Sequence, residues 1–454
     1  MSTTDRLAGP LCWAVLALAL LLGGGTRNFL LSDLLVQFAA VGALAYGLVR
    51  LRWQLLQPEV RRLVVLLLLV VAIPLIQVVP VPAALVGWLP GRAEVYSGLD
   101  SLGIPAPAFR TWSLDPNATL ASVRSLLPAA ALLVLAVQID PKWRSRMVGL
   151  VMSAAVLMVA LGVAQVAQGS GSGLRFYTPT NAHEAVGLYA NRNHYASFLV
   201  VALICVFGGV IRHGTARTPP NQRALHMLGW LLMSAILMLG VFLARSRSAV
   251  GLAAVMSAIM LILAFISGKQ LRGATRWLPI IVIAGGLVAV EFGLDRIAAR
   301  FGNLEGGQRT DVLPHVLELT RRFAASGTGV GSFPAVYEAY APVADLGPKI
   351  VNHAHNDWAE IWIDVGLPAL LVLGLFARWV WQRLQELRVD WGNGQRENAE
   401  RLVGALILLS LCLHSLLDYP LRTTSLACVF VLACILMLRT RRGGDGRRDL
   451  GSAS

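Results

Sequence analysis

The stretch His194-Tyr195-Ala196-Ser197-Phe198-Leu199-Val200-Val201-Ala202-Leu203-Ile204-Cys205-Val206-Phe207-Gly208-Gly209-Val210-Ile211 runs for eighteen residues without an Asp, Glu, Lys or Arg. As a helix rising 1.5 Å per residue it covers roughly 27 Å, close to the hydrocarbon thickness of a bilayer at about 30 Å. Comparable runs precede it at Leu7 to Gly25, Leu30 to Val49, Leu63 to Val79, Leu120 to Gln138 and Met147 to Gln168. Others follow at Leu225 to Leu243, Ala249 to Ser267, Trp277 to Gly293, Trp358 to Trp379, Leu402 to Leu417 and Thr423 to Leu438. The chain therefore reads as an all-α integral membrane protein of about twelve transmembrane helices. The first run ends in Gly23-Gly24-Gly25 and the fourth contains Pro128, which makes these two the weakest. Composition agrees, with 56% hydrophobic and only 14% charged residues.

Basic residues near helix ends stay on the cytoplasmic side, so their distribution sets the orientation. With the N-terminus inside, 24 of the 39 Lys and Arg residues fall in cytoplasmic segments and 15 in the much longer outer loops, and both termini are expected to be cytoplasmic. The net charge of +14 then reflects orientation and contact with anionic headgroups. There is no soluble basic domain in the sequence, so nucleic acid is not expected as a partner. Cys12, Cys205, Cys412, Cys428 and Cys434 all lie in apolar runs, with neither metal spacing nor a disulfide framework. The first run lacks an Ala-x-Ala-like site and a second span follows directly, so it is expected to be retained.

Three outer segments are long enough to hold chemistry: Pro80 to Thr119, Gly169 to Asn193 and Leu294 to Asp357. The last contains Gly327-Thr328-Gly329-Val330-Gly331-Ser332-Phe333 and ends in Asn352-His353-Ala354-His355-Asn356-Asp357-Trp358, polar residues at the mouth of an apolar run. A helix beginning near His353 would carry His353, Asp357, Glu360 and Asp364 on one face, with His355 pointing away. Arg192, Arg245 and Arg247 are the expected partners of those carboxylates. The alternative reading of the carboxylates is a salt-bridge cluster holding helices together. His353 and His355 resemble metal ligands only superficially, because a rigid site needs further ligands. A neutral imidazole acting as general base suits them better.

Arginines in outer turns run against the orientation rule. Ala244-Arg245-Ser246-Arg247-Ser248 is either a serine helix cap with snorkelling arginines or an anion site in which guanidinium forks meet phosphate oxygens. Asn191-Arg192-Asn193-His194 is either an interfacial belt anchored by Tyr189 and Tyr195 or a phosphate- and sugar-binding cluster. Arg309 follows the flexible Gly306-Gly307. The glycines at 327, 329 and 331 are not a dinucleotide fingerprint, as no βαβ unit surrounds them. They predict a compact turn of positive φ, with backbone approach to an anion as a second use. His414 and Asp418 sit four apart near the outer face, with Arg422 just beyond, which suggests a buried network. Trp112-Ser113-Leu114-Asp115-Pro116 is a candidate for touching an acceptor.

In this order, Asn191-Arg192-Asn193-His194, Ser246-Arg247-Ser248, Arg309, Gly327 to Phe333 and His355-Asn356 followed by Gly366 resemble the O-antigen ligase and O-antigen polymerase (Wzy_C) superfamily. The likeness runs from about Gly187 to Asp418, and the histidine motif is its most specific part. Where ligases of the family tend to show two further glycines, this chain has Ala369 and Leu371. The resemblance implies residues 1–186 as N-terminal helices with the loop 80–119, residues 187–438 as the ligase-like membrane region with the periplasmic loop 294–357, and residues 439–454 as a basic cytoplasmic tail. It further implies a GT-C-type glycosyltransferase in the bacterial inner membrane that moves a glycan from undecaprenyl diphosphate to a hydroxyl acceptor at the periplasmic face.

On that reading His355, Arg247 and Arg309 are catalytic. Arg192, Asn191, Asn193, Arg245, Gly329, Gly331, His353, Asn356, Asp357, Glu360, His414 and Asp418 contact substrate. No metal and no cofactor is expected, since the outer loops hold no Asp-x-Asp pair. The partners are the lipid-linked donor, a lipid A core or glycan acceptor, and membrane lipids. Polymerisation of lipid-linked repeat units is the alternative within the superfamily. A transporter is the alternative outside it, and the absence of an inverted repeat argues against that.

Overall fold

The computed structural model describes residues 6–26, 30–105, 107–178, 182–213, 219–266, 308–342, 350–391 and 396–439. The expected span Trp277 to Gly293 and nearly all of the tail lie outside them. The described chain is helical apart from loops and one two-residue antiparallel ladder, in which β1 (Val81–Pro82) pairs with β2 (Phe109–Arg110).

The helices are α1 (Ala8–Leu22), α2 (Leu31–Arg50), α3 (Pro58–Gln77), the short α4 (Ala83–Val86) and α5 (Arg92–Ser101), α6 (Pro116–Ser125) and α7 (Leu127–Ala136). They continue with α8 (Pro141–Gln168), α9 (Arg192–His213), α10 (Pro220–Leu243) and α11 (Arg247–Ile266). The last six are α12 (Gln308–Arg322), α13 (Phe333–Tyr340), α14 (Asp357–Val365), α15 (Pro368–Asp390), α16 (Arg396–His414) and α17 (Thr424–Leu436).

Among the described residues, six segments are long and apolar enough to cross a membrane by length and composition: Leu31–Arg50, Pro116–Ala136, Pro141–Gln168, Arg192–His213, Asn221–Leu243 and Arg247–Ile266. This is fewer than the twelve spans expected. α1 and α17 are shorter apolar helices, while α3, α15 and α16 have the length of a span but carry charged residues at one end. The helix around His194 is the most enclosed of the six, with 89% of its apolar window buried by protein. It packs against α10 and α16, while α17 packs on α7, and Leu132, Leu135, Phe198, Phe207, Val429 and Leu432 all belong to one apolar core. α10, α11 and α15 show exposed leucines and isoleucines, as helices facing lipid do.

Two expected spans are interrupted. Pro128 has no N–H for the Arg124 carbonyl, and the helix breaks at Leu126 between α6 and α7. The run Trp358 to Trp379 breaks at Gly366-Leu367-Pro368, so α14 is a nine-residue helix separate from α15. Gly366 has φ +69°, and a Cβ there would lie 2.6 Å from the Gly327 nitrogen. At Gly327 (φ +65°) a Cβ would meet the Asp364 carbonyl at 2.5 Å. The two glycines thus let the 327–331 loop close on the end of α14.

The bundle carries a charged network at each end. At one, Arg383 and Arg401 are buried among Glu386, Asp390 and Glu59, joined by Arg439. At the other lie the polar motifs, with the loop carrying β1, α4, α5 and β2 folded over them.

Candidate functional site

Each motif at this end is fixed by a local rule of helix ends. Asn356 is the N-cap of α14, its side chain accepting from the Ala359 N–H at 3.0 Å and donating to the Leu416 carbonyl at 3.1 Å. The helix therefore starts at Asp357, four residues later than expected, and Asn356 is committed to backbone. Asp357, Glu360 and Asp364, at spacings of three and four, face inward and are buried. Their common partner is Arg422, at 3.5, 3.5 and 3.2 Å respectively. This corrects the expectation that Arg192, Arg245 or Arg247 balance them. Burial works against the Arg422 charge, yet Glu360, Asp364 and Asp357 outweigh it and hold the guanidinium above the ordinary arginine range.

Asp357 also accepts from Ser415 Oγ at 2.8 Å and the Leu421 N–H at 3.3 Å. Burial nevertheless pushes its carboxyl up to about 6, opposed by Arg422 and reinforced by Glu360. A carboxyl raised in the folded state contributes stability that is present below its unfolded pKa and lost as pH rises through the folded value. Thermal unfolding of the purified protein should therefore show stability falling between about pH 4 and pH 6, by on the order of 3 kcal/mol from this group. Asp357→Asn should flatten that slope; an unchanged slope in the variant would refute the assignment.

His353 lies outside α14 but reaches back, its Nδ1 lying 2.8 Å from Glu360 Oε1, while Glu360 Oε2 accepts from the Ala354 N–H at 2.8 Å. His355 occupies a left-handed conformation, φ +53°, which a non-glycine residue adopts at a cost. Its Nδ1 is 3.3 Å from Asp418 Oδ1. Asp418 is buried and also accepts from Asn193 Nδ2, while Asn193 Oδ1 accepts from Ser246 Oγ at 2.7 Å. Ser246 in turn receives the Ala249 N–H at 3.2 Å and caps α11. One hydrogen-bonded chain, Ser246–Asn193–Asp418–His355, thus joins four segments spread over the sequence.

Tyr419 sits among the histidines, its ring centroid 4.3 Å from that of His353, 5.1 Å from His355 and 4.8 Å from His194. Asn191 and Asn352 hydrogen-bond its phenol, and burial holds that phenol protonated well above the ordinary range. Arg192 is paired with the buried Glu184 at 2.8 Å.

Arg192, Arg247, Asn191, Asn193, Gly331, His353, His355 and Asp357 all line one cavity of about 1540 Å³. Arg245 does not line it, and its backbone is left-handed at φ +48°. Nor do His414, buried in the last turn of α16, Glu360 behind His353, Asp418 behind His355, or Asn356. The side chain of Arg309 lies outside the described residues. Among the described residues no group of three or more His, Cys, Asp or Glu is placed to hold a metal ion.

The glycine loop has the positive φ values expected, at 327, 329 and 331. Its N–H groups are occupied within the protein: Thr328 and Gly329 donate to the Ile363 and Asp364 carbonyls at 2.9 Å, and Gly331 to the Asp364 carboxylate at 3.1 Å. Gly329 is thereby a helix-end cap in place of a substrate contact. Gln77, the last residue of α3, accepts from the Val330 N–H and donates to the Asp364 carbonyl. The buried Arg92 donates to the carbonyls of Pro90, Gly327 and Trp112, and Trp112 Nε1 donates to that of Ser326. The segment proposed to touch an acceptor therefore clamps the glycine loop.

Sequence reasoning missed Arg422 as the hub, Tyr419, Glu184 and Gln77. The Asn356-Asp357 pair was a readable helix start. Nothing local marks the others, whose roles arise from contacts far along the chain.

The cavity extends from this polar end into an apolar trough lined by Leu66 and Val70 of α3, Leu133 of α7, Phe376 of α15 and Phe430 of α17. A polar head with cations and imidazoles over a long apolar wall suits an amphiphile with an anionic headgroup. No curated protein matches the chain. Residues 231–374, from within α10 into α15, match the family model Wzy_C, O-Antigen ligase, the superfamily that the motifs resemble.

Proposed function

We propose that this protein is an inverting, metal-independent GT-C-type glycosyltransferase of the bacterial inner membrane. It takes a glycan from undecaprenyl diphosphate and passes it to a hydroxyl acceptor at the periplasmic face. The observation that carries this reading is the single cavity that joins an apolar trough to His353, His355, Arg192 and Arg247.

The acceptor hydroxyl gives its proton to His355, whose other ring nitrogen is held by Asp418. The oxygen attacks the anomeric carbon as the bond from that carbon to the phosphate oxygen breaks. The electron pair leaves on the diphosphate, and the new bond forms on the opposite face. Arg192, Arg247 and, by the resemblance, Arg309 neutralise the departing charge, an effect large enough to dominate such a step. The ligase-like region proposed for residues 187–438 supplies all of these groups.

One observation favours polymerisation as the second reading. Ala369, standing where ligases tend to have glycine, lines the cavity. The test is the size distribution of envelope polysaccharide, free and lipid A-linked, in a deletion strain carrying wild type or His355→Ala. Long chains that accumulate unattached to lipid A in the variant indicate a ligase, and single repeat units without long chains indicate a polymerase. No change in either refutes glycan transfer.

A further inference from the structure

The cavity has a second polar corner, on α2. Asp33 is the one acidic residue of the 20-residue apolar segment Leu31–Arg50, and it lines the cavity beside Leu34. Ionisable residues are rare in such segments and are retained where they face a cavity or a partner. Thr424, the first residue of α17, donates to Asp33 Oδ1 at 3.2 Å. The carboxylate has no cation partner among the described residues, and Oδ2 makes no hydrogen bond among them. Gln37 continues the polar stripe one turn further along the same wall, and its Oε1 has no hydrogen-bond partner among the described residues either.

Gly25 keeps open the space beside Oδ2. A Cβ there would lie 2.3 Å from Leu30 Cδ1, 3.0 Å from Asp33 Oδ2 and 3.4 Å from Tyr177 Cε1, so the carboxylate and the tyrosine ring border one gap. The ring is fixed, because the Tyr177 phenol donates to the Leu22 carbonyl at 2.7 Å. Phe176 beside it is exposed, and both rings line the cavity. This corner adjoins the reactive end. The Gly24 carbonyl accepts from the Ala190 N–H at 3.0 Å and the Thr26 carbonyl from Asn352 Nδ2 at 3.2 Å, which holds the 24–26 turn between the segments that carry Arg192 and His353.

The chemistry of the corner selects its ligand. A carboxylate without a cation repels a diphosphate, for which Arg192 and Arg247 are the matching groups in the same cavity. It accepts hydroxyl donors strongly, and it has oxygens for more than one. An aromatic ring beside it offers its negative face to the C–H edges of a pyranose. We propose that Asp33, with Phe176 and Tyr177, forms a sugar subsite that holds a pyranose of the transferred glycan or of its acceptor through hydroxyls. The inference rests on the glycan-transfer reading above and adds to it a contact from α2, which lies outside the segment matching the family model.

The test uses the full-length protein in lipid nanodiscs and three probes: undecaprenyl diphosphate, the undecaprenyl-diphosphate-linked glycan extracted from the deletion strain, and lipid A core from the same strain. Binding to wild type is compared with Asp33→Ala, Asp33→Asn and Gly25→Ala, the last of which keeps the carboxylate and fills the gap beside it. The expected result is a sugar-bearing probe bound about tenfold more weakly by Asp33→Ala and about threefold more weakly by Asp33→Asn, which retains one acceptor oxygen. Gly25→Ala should weaken the same probe. Undecaprenyl diphosphate binding should be unchanged in all three variants, which also shows that the trough is intact. Weakening confined to the linked glycan places the sugar on the donor, weakening confined to lipid A core places it on the acceptor, and weakening of both gives the corner to each in turn. Wild-type affinity for both sugar-bearing probes in Asp33→Ala overturns the subsite and leaves the glycosyltransferase reading standing. Equal weakening of all three probes overturns it too, since Asp33 then shapes the trough. Should Asp33→Ala fail to fold, Asp33→Asn with wild-type affinity for both sugar-bearing probes is equally decisive against it. A wild type that binds lipid A core but neither diphosphate overturns the lipid-diphosphate reading alone, and one that binds no sugar-bearing probe overturns both.

Discussion

Arg422→Met should lower stability at neutral pH by about 3–5 kcal/mol, the cost of stranding a buried charge, and should abolish transfer. Three buried carboxylates converge on this guanidinium, and methionine keeps the volume while leaving their charge uncompensated. Acid should restore part of the loss. Without Arg422 the carboxyls titrate higher in the folded state than in the unfolded chain, so the variant gains stability as pH falls below their raised values. Thermal unfolding of detergent-solubilised protein at pH 7.5 and pH 5 reads both effects. Arg422→Lys should fall between, because one ammonium cannot reach three partners in the geometry of a guanidinium. Equal stability of Arg422→Met and wild type at pH 7.5 would show that the carboxylates do not depend on it.

The second large effect is expected at His355. Removing a general base typically costs about 10²–10⁴ in rate, and His355→Ala should lose on the order of 10³ in turnover with donor binding nearly unchanged, since Arg192 and Arg247 remain. Asp418→Asn should lose less and shift the pH–rate profile, because Asp418 acts through the imidazole that it holds. His353, paired with Glu360 in the same cavity, provides the internal comparison. If His353→Ala proves the more damaging variant while His355→Ala stays within about threefold of wild type, the base is the Glu360-held imidazole.

Much of this arrangement was legible before the structure. Apolar length placed the six spans found among the described residues, of the twelve expected, with α9 the clearest. The glycine spacing required positive φ, and a serine cap at Ser246 or Ser248 was one reading of the turn, which the structure gives to Ser246. The carboxylate face of α14 came from helical periodicity alone, although its start did not. What could not be read is which residues answer that face. Arg422 lies in a turn 58 residues after Asp364, and only the folding of α16 against α14 brings it there. Tyr419 looks like an ordinary aromatic beside a helix end, and Gln77 like the polar stop of an apolar run. The Gly366-Leu367-Pro368 break carried a recognisable stop signal, but the apolar residues on both sides outweighed it in a window of membrane length.

The hydrogen-bonded chain from Ser246 through Asn193 and Asp418 to His355 has a consequence for how such proteins can be recombined. Two of its four members, Asn193 and Asp418, lie outside the segment matching the family model, as does Arg422. A chimera built by moving residues 231–374 alone into a relative would inherit the imidazole without the carboxylate that holds it. The smallest exchangeable unit is a set of four helix ends drawn from distant parts of the chain. Substitutions within that set should show strong epistasis, with the harm of the second change depending on whether the first has already cut the chain.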